Sequence, residues 1–253
     1  MRDLPLQVHS GAMFVMDAVF SIESWSAFAP GIEDDAAWLD WARTPWLPQG
    51  EAVPALTEMA AMQRRRVERL GRAALQVAWR CQADHECEIP LVFATRHGDL
   101  ARTHAMLGEL ARDLPLSPTQ FGLSTHNAIP AQYSIARVLV GNYLVVSAGA
   151  ASTEAAIVEA QALLADGAPA VLVVMFDGPT PDDFARYRDE PEAWYAWAWR
   201  VVPAREGLPT FSLRPGTPAL HADLPHGLDV LRFYLAGERE LAGVDGSGWT
   251  RHG

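Results

Sequence analysis

Three continuous apolar runs, Ile89–Ala94 (IPLVFA), Tyr143–Ser147 (YLVVS) and Ala170–Phe176 (AVLVVMF), constrain the fold of this chain more than any other feature. A strand that is apolar on both faces must be covered on both, so each run reads as a strand buried inside a sheet. Helical patterns alternate with them. Met62–Cys81 carries Val67, Leu70, Ala74, Leu75, Val77 and Ala78 at three- and four-residue steps, with Arg64, Arg65, Glu68, Arg69 and Arg72 on the wet side. Asp99–Leu114 places Met106, Leu107, Leu110 and Leu114 at helical spacing, Ala131–Val140 is a third segment, and Thr153–Ala165 stops at Asp166-Gly167. Apolar strands alternating with helices predict an α/β fold, a mixed and mostly parallel sheet covered by helices on both faces.

The flanks are less regular. Ala18–Glu23 reads as a strand with a turn over Trp25–Pro30, and Asp34–Arg43 as a short helix with acidic residues at its start. Pro115–Asn127 reads as a loop and Gly141-Asn142 as a tight turn. Pro179–Pro191 is polar loop, Trp194–Val202 (WYAWAWRVV) alternates as an edge strand would, and beyond the proline-rich Pro203–Pro218 one more amphipathic helix covers Leu228–Leu241. Residues 1–16 are expected to be a loosely held leader and 17–253 a single domain.

The net charge of −11 argues against attraction to nucleic acid or anionic lipid through the overall field; Arg64-Arg65-Arg66 is the one basic run. No apolar run is long enough to span a membrane and no signal-peptide pattern leads the chain, so a cytoplasmic protein is expected. Cys81 and Cys87 flank His85, and thiolate and imidazole are zinc ligands. Their spacing is wider than CxxC and no second cysteine pair completes a site, so the segment reads as a polar loop with free thiols; no metal is expected.

From Ser117 to Gly167 the chain resembles the middle of the β-ketoacyl synthases of the thiolase-like superfamily. Ser117-Pro118 matches a Ser-Pro in the loop leading to the dimer contact, and Asn127 an asparagine that opens the next helix. Gly141 matches a glycine before the strand that enters the active site. Gly167 matches the glycine ending the helix behind the nucleophile, and Ala170–Met175 the strand after it. Arg65–Arg80 is similar to the family's early helix. In the family the nucleophilic cysteine sits where strand meets helix, its thiolate favoured by the helix N-terminus. Here that corner reads Ala148-Gly149-Ala150-Ala151-Ser152-Thr153, and the cysteine position falls on Ala150, which cannot be acylated.

The resemblance implies a thiolase-like half-fold, with no cofactor. The family's two catalytic histidines belong to a second half that the chain is not expected to contain. His221 and His226 read as surface loop residues, His97 and His104 as structural, and His126, beside Asn127, as the histidine nearest the dimer partner. It further implies a non-catalytic subunit of chain-length-factor type, forming a heterodimer with a complete β-ketoacyl synthase, with an acyl carrier protein as a further partner. Pairing is expected edge to edge through Tyr143–Ser147, with Tyr143, Val145 and Ser147 facing the partner, and Thr119, Gln120 and Phe121 reaching toward its pocket. Chain length factors of aromatic polyketide systems are longer and often carry glutamine at the cysteine position. This chain looks more like the truncated synthase-like proteins of aryl polyene or xanthomonadin-type pigment clusters. The clustered Trp194, Trp197 and Trp199 are candidates for a core or an interface. Two other readings remain open: an independent acyl transferase or hydrolase using Ser147 or Ser152, and a homodimeric protein binding an acyl chain or acyl carrier protein.

Overall fold

The structure is a computed structural model that describes residues 19–82, 88–218 and 223–252. The expected leader, His85, Cys87 and His221 lie outside the described residues.

β1 (Phe20–Phe28) runs through the expected turn at Trp25, and the chain reverses only at Pro30–Gly31, where Gly31 takes φ +84°. The strand continues because ladders with its neighbours use its whole length, with a register shift between Ile22 and Ser24. α1 (Asp35–Arg43) begins where Asp34 caps it, its carboxylate accepting from the Ala37 N–H at 2.8 Å. The single helix expected over 62–81 is two, α2 (Ala61–Arg64) and α3 (Arg69–Gln82). The Arg72 guanidinium accounts for the break, since it satisfies the Val67 carbonyl (3.0 Å) and the Arg64 carbonyl (3.4 Å) there.

β2 (Leu91–Ala94) is wholly buried. α4 (Leu100–Leu110) follows, capped by Asp99. α5 (Pro118–Leu123) lies where a loop was expected: Ser117 is its N-cap and Pro118 its first residue, a pairing that starts helices. α6 (Ala128–Arg137) starts three residues earlier than its periodicity suggested and ends at Val138, whose φ is +56°. β3 (Tyr143–Val146), α7 (Ser152–Ala165) and β4 (Val171–Asp177) follow, the helix closing just before Gly167 at φ +99°. A 3-10 turn at Asp182–Tyr187 interrupts the next loop. β5 (Tyr195–Pro203) and β6 (Thr210–Pro215) precede α8 (His226–Ala236), and β7 (Glu240–Ala242) and β8 (Ser247–His252) form a final hairpin that the helix expected to reach Leu241 had concealed.

The eight strands form one sheet in the order β3-β2-β4-β5-β1-β6-β8-β7. It is mixed, as expected, but parallel pairing is confined to β3-β2-β4, and the other five ladders are antiparallel. Two strand assignments trade places. β5 is interior, between β4 and β1, and Trp197 and Trp199 are fully buried with ring centroids 4.4 Å apart. Those two rings are core rather than interface; Trp194 is half-buried under the Arg69 guanidinium, 4.4 Å from the ring centroid. β3, expected inside, is the edge. Alternate residues of β4 divide the core: Val171, Val173 and Met175 pack with α1, α7 and α8, while Leu172, Val174 and Phe176 pack with α3 and Tyr133 of α6. Burying about 25 cal/mol per Å² of apolar surface on both faces is what holds the parallel strands in the middle.

Candidate active-site corner and partner-facing edge

β3 delivers the chain to the N-terminus of α7 through a turn built by hydroxyls and one glycine. Ser147 lies at distances of 2.7 Å from the carbonyls of both Thr95 and Arg96, to which its hydroxyl donates. Gly149 adopts φ +59°, with open space where a Cβ would project, so its backbone angle rather than crowding favours glycine. The Ser152 hydroxyl accepts from the Ala148 N–H (3.0 Å) and donates to the Gly149 carbonyl (2.7 Å). Ala150 sits half-buried on this turn, bridged to Ala148. Its methyl group is no nucleophile. Ser152 is fully buried, and the Ser147 proton is directed at main-chain carbonyls, so among the described residues neither serine is hydrogen-bonded to an imidazole or carboxylate that could act as its base.

Beneath the corner lies a buried polar seam. Glu154, in the first turn of α7, accepts from Trp249 Nε1 at 2.8 Å and meets His226 Nε2 at 2.5 Å. His226 was expected on a surface loop; it is the first residue of α8 and wholly buried, because the helix starts at Pro225 and turns the ring inward. Burial alone would lower its pKa, but the Glu154 carboxylate, with Glu190 and Asp229 nearby, holds it above the ordinary histidine value. Glu190 accepts from the His226 main-chain N–H at 3.1 Å and pairs with Arg96, whose guanidinium also meets Asp189 at 2.5 Å. Asp177, at the end of β4, accepts from the Thr95 hydroxyl (2.8 Å) and the Arg96 N–H (3.0 Å). Burial pushes its pKa up to about 7, against the pull of those donors and the Arg96 charge. The sequence marked none of Glu154, Asp177 or Glu190. Polar residues flanking apolar runs were the available signal.

The other expected residues divide. The hydrogen bonds Leu91 N–H to Asn142 O (3.1 Å) and Thr95 N–H to Val146 O (3.3 Å) fix the β2–β3 ladder. In a parallel pair that phase turns the backbone groups of Leu144 and Val146 inward and those of Tyr143 and Val145 to the open side. Leu144 is 39% exposed on this edge, and Ile135, Val138 and Val140 ahead of it are 67%, 82% and 87% exposed. Thr119, Gln120 and Phe121 stand exposed on α5, with Gln120 bonded to Arg102. His126 is exposed with its ring against Gly98, and Asn127 takes the N-cap position of α6 without a side-chain cap bond. On α4 only Met106 is buried; Leu107, Leu110 and, beyond the helix, Leu114 face outward. Cys81 is buried in α3, and among the described residues no cluster of histidine, cysteine, aspartate and glutamate could hold a metal. Among them no helix is long and apolar enough to cross a membrane.

Residues 38–249 match the β-ketoacyl synthase N-terminal domain. Among solved structures, the ketosynthase (ApeO) in complex with its chain length factor (ApeC) from Xenorhabdus doucetiae matches with a TM-score of 0.82 at 25% identity, over 93% of this chain and 99% of the matched chain. The ishigamide ketosynthase/chain length factor matches at 0.59 and 16% identity, over 78% of this chain and 67% of that one. A β-ketoacyl synthase from Burkholderia phymatum matches at 0.55 and 15%, over 88% and 70%. The last two likenesses show the fold alone. No curated protein sequence matches the chain. With its thiolase-like fold, the chain belongs to the β-ketoacyl synthase N-terminal domain family.

Proposed function

We propose that this chain is a non-catalytic subunit of chain-length-factor type, pairing with a complete β-ketoacyl synthase in type II polyketide or fatty-acid-like biosynthesis of the aryl polyene kind. The observation that supports the reading is Ala150, a methyl group at the strand-to-helix corner to which the resemblance assigns the family's nucleophile. Ser147 and Ser152 spend their hydroxyls on holding the corner, which weighs against an independent serine enzyme. The chain also spans 99% of the matched chain of the Xenorhabdus doucetiae complex, against 67% and 70% of the other two matched chains, so it shares the short length of that chain.

The unpaired edge of β3 and the exposed side chains of Ile135, Val138, Val140 and Leu144 give the surface for the synthase. Tyr143 and Val145 offer main-chain donors and acceptors to it, and Phe121 on α5 extends the apolar area. An acyl carrier protein then visits the pair rather than this subunit alone. The test is co-expression with the synthases encoded beside its gene, followed by size exclusion and mass determination. A one-to-one complex, with no acylation of the isolated chain by a reactive acyl ester, is expected. A chain that stays apart from every such synthase, or acylates at Ser147 or Ser152, defeats the reading.

A further inference from the structure

β7 and β3 are the two ends of the eight-stranded sheet, roughly 30 Å apart at about 4.8 Å per strand step. The β7 end is therefore remote from the turn before α7 and from the edge offered to a synthase. Arg239 stands just before β7, and Arg251 lies within β8. The Arg251 N–H donates to the Arg239 carbonyl at 2.8 Å, which continues the β7–β8 ladder and sets the two residues directly opposite each other. Opposed residues share a face, and in a bonded pair their Cα atoms stand about 5.5 Å apart. Strand alternation gives Arg239 and Arg251 the face of Leu241 and Trp249, two buried side chains of the core that α8 covers.

Like charges so placed destabilise a ladder. The chain has a net charge of −11, yet neither arginine pairs with a carboxylate among the described residues, and the nearby Glu238 is taken by Arg232. Arg251 is held by a bond from Nη1 to the Tyr234 carbonyl (3.2 Å) and by the Phe211 ring, whose centroid is 5.6 Å from Cζ. Arg239 is exposed, and its guanidinium has no partner among the described residues. Both line an open cleft of about 520 Å³, within the usual range of small-molecule sites, with Gly237, Glu240, Thr250 and His252. Glu240 lies opposite Thr250 in the ladder, so alternation turns the one carboxylate of the lining to the other face.

We infer that the opposed Arg239 and Arg251 form a binding site for a phosphate dianion, free or as the monoester of a small metabolite. Two guanidiniums balance a dianion, where a carboxylate would neutralise only one of them, and their planar forks match phosphate oxygens. Arg251 is already positioned in the free chain, so less ordering is needed on binding. Free phosphate, no larger than a few waters of about 30 Å³ each, leaves most of the cleft open, and a monoester fills more of it. The site stands whether or not the chain pairs with a synthase.

The test is calorimetric titration of the full chain at low ionic strength with inorganic phosphate, with glycerol 3-phosphate and, as the monovalent comparison, with sodium acetate. Saturable one-to-one binding of a phosphate is expected, at least about tenfold tighter than acetate, and the tighter of the two phosphates identifies the source. Arg239→Gln, at an exposed site with no other partner, weakens it by roughly tenfold, as loss of a charge-assisted contact requires. Arg112→Gln makes the same change of net charge on exposed surface beyond α4 and leaves binding as it was. No saturable binding of either phosphate overturns the inference. So does acetate binding as tightly as phosphate, or a loss on Arg112→Gln equal to that on Arg239→Gln, for then only the overall charge is being read. A chain that pairs with a synthase yet takes no phosphate sinks this inference alone, and one that takes phosphate yet pairs with no synthase sinks only the proposed function.

Discussion

Replacing His226 by alanine removes the imidazole that meets the Glu154 carboxylate at 2.5 Å in a site where both side chains are 2% exposed or less. The carboxylate keeps one bond, from Trp249 Nε1, while its Oε2 has no partner among the described residues. Breaking a buried ion pair by deleting one member costs about 3–5 kcal/mol, more than a surface pair could, because the remaining charge stays out of water. With a urea m-value of about 2–3 kcal/mol/M, the midpoint of unfolding falls by about 1–2 M. The effect is pH-dependent. The folded pKa of His226 is raised, so its contribution is fully present below the unfolded value of 6.5 and is lost as pH rises through the folded value. The gap between wild type and His226→Ala in urea titrations is therefore widest below pH 6.5 and narrows above it. A gap below about 0.5 kcal/mol at pH 6, the scale of an ordinary surface substitution, refutes the account of a buried pair.

Val140→Asp, at a position 87% exposed, leaves the free chain's urea midpoint unchanged but weakens the proposed complex with a synthase by about 100-fold, read as a Kd, because the carboxylate would be buried without a partner; a change under about threefold contradicts the proposed placement of the interface. Asp177 is pushed from the ordinary 3.8 up to about 7, so the folded chain holds a proton that the unfolded chain has released, and stability falls as pH rises through that window. At about 1.36 kcal/mol per pH unit the fall comes to about 4 kcal/mol in order of magnitude, and Asp177→Asn should remove that component of the pH slope in thermal or urea unfolding. Ala150→Cys yields a thiol at the N-terminus of α7 that iodoacetamide alkylates more than about tenfold faster than Cys81, whose pKa burial pushes up to about 11, as peptide mass spectrometry would show. The same variant is expected to gain no malonyl decarboxylation, since the imidazole of His226, which meets Glu154 of α7, is committed to that carboxylate.

Much of the fold was legible because periodicity is written locally. The runs at 89–94 and 170–176 became β2 and β4, and Asp34 and Gly167 marked helix ends where expected. What failed was decided by neighbours distant in sequence. Nothing within Trp194–Val202 says that β1, more than 160 positions earlier, pairs along it and makes it interior. Nor does the apolar run at 143–147 reveal that one of its sides lies open. The break before α3 depends on Arg72 reaching back to two carbonyls, a tertiary detail invisible to spacing. At the candidate site the turn between β3 and α7 was readable because Ala148–Thr153 is contiguous, and its supports were not. Glu154, Asp177, Glu190 and His226 come from four separate stretches, and a lone histidine in a proline-rich segment looks like surface until a carboxylate from α7 is found against it.

The turn before α7 is fastened by the hydroxyls of Ser147 and Ser152 and by the left-handed Gly149. No hydrogen bond in that fastening uses the side chain at 150, so the architecture of the corner is indifferent to what residue 150 can do. The side chain at 150 is thus a removable attachment: one substitution can change what it offers chemically while the hydrogen bonds that shape the turn stay as they were.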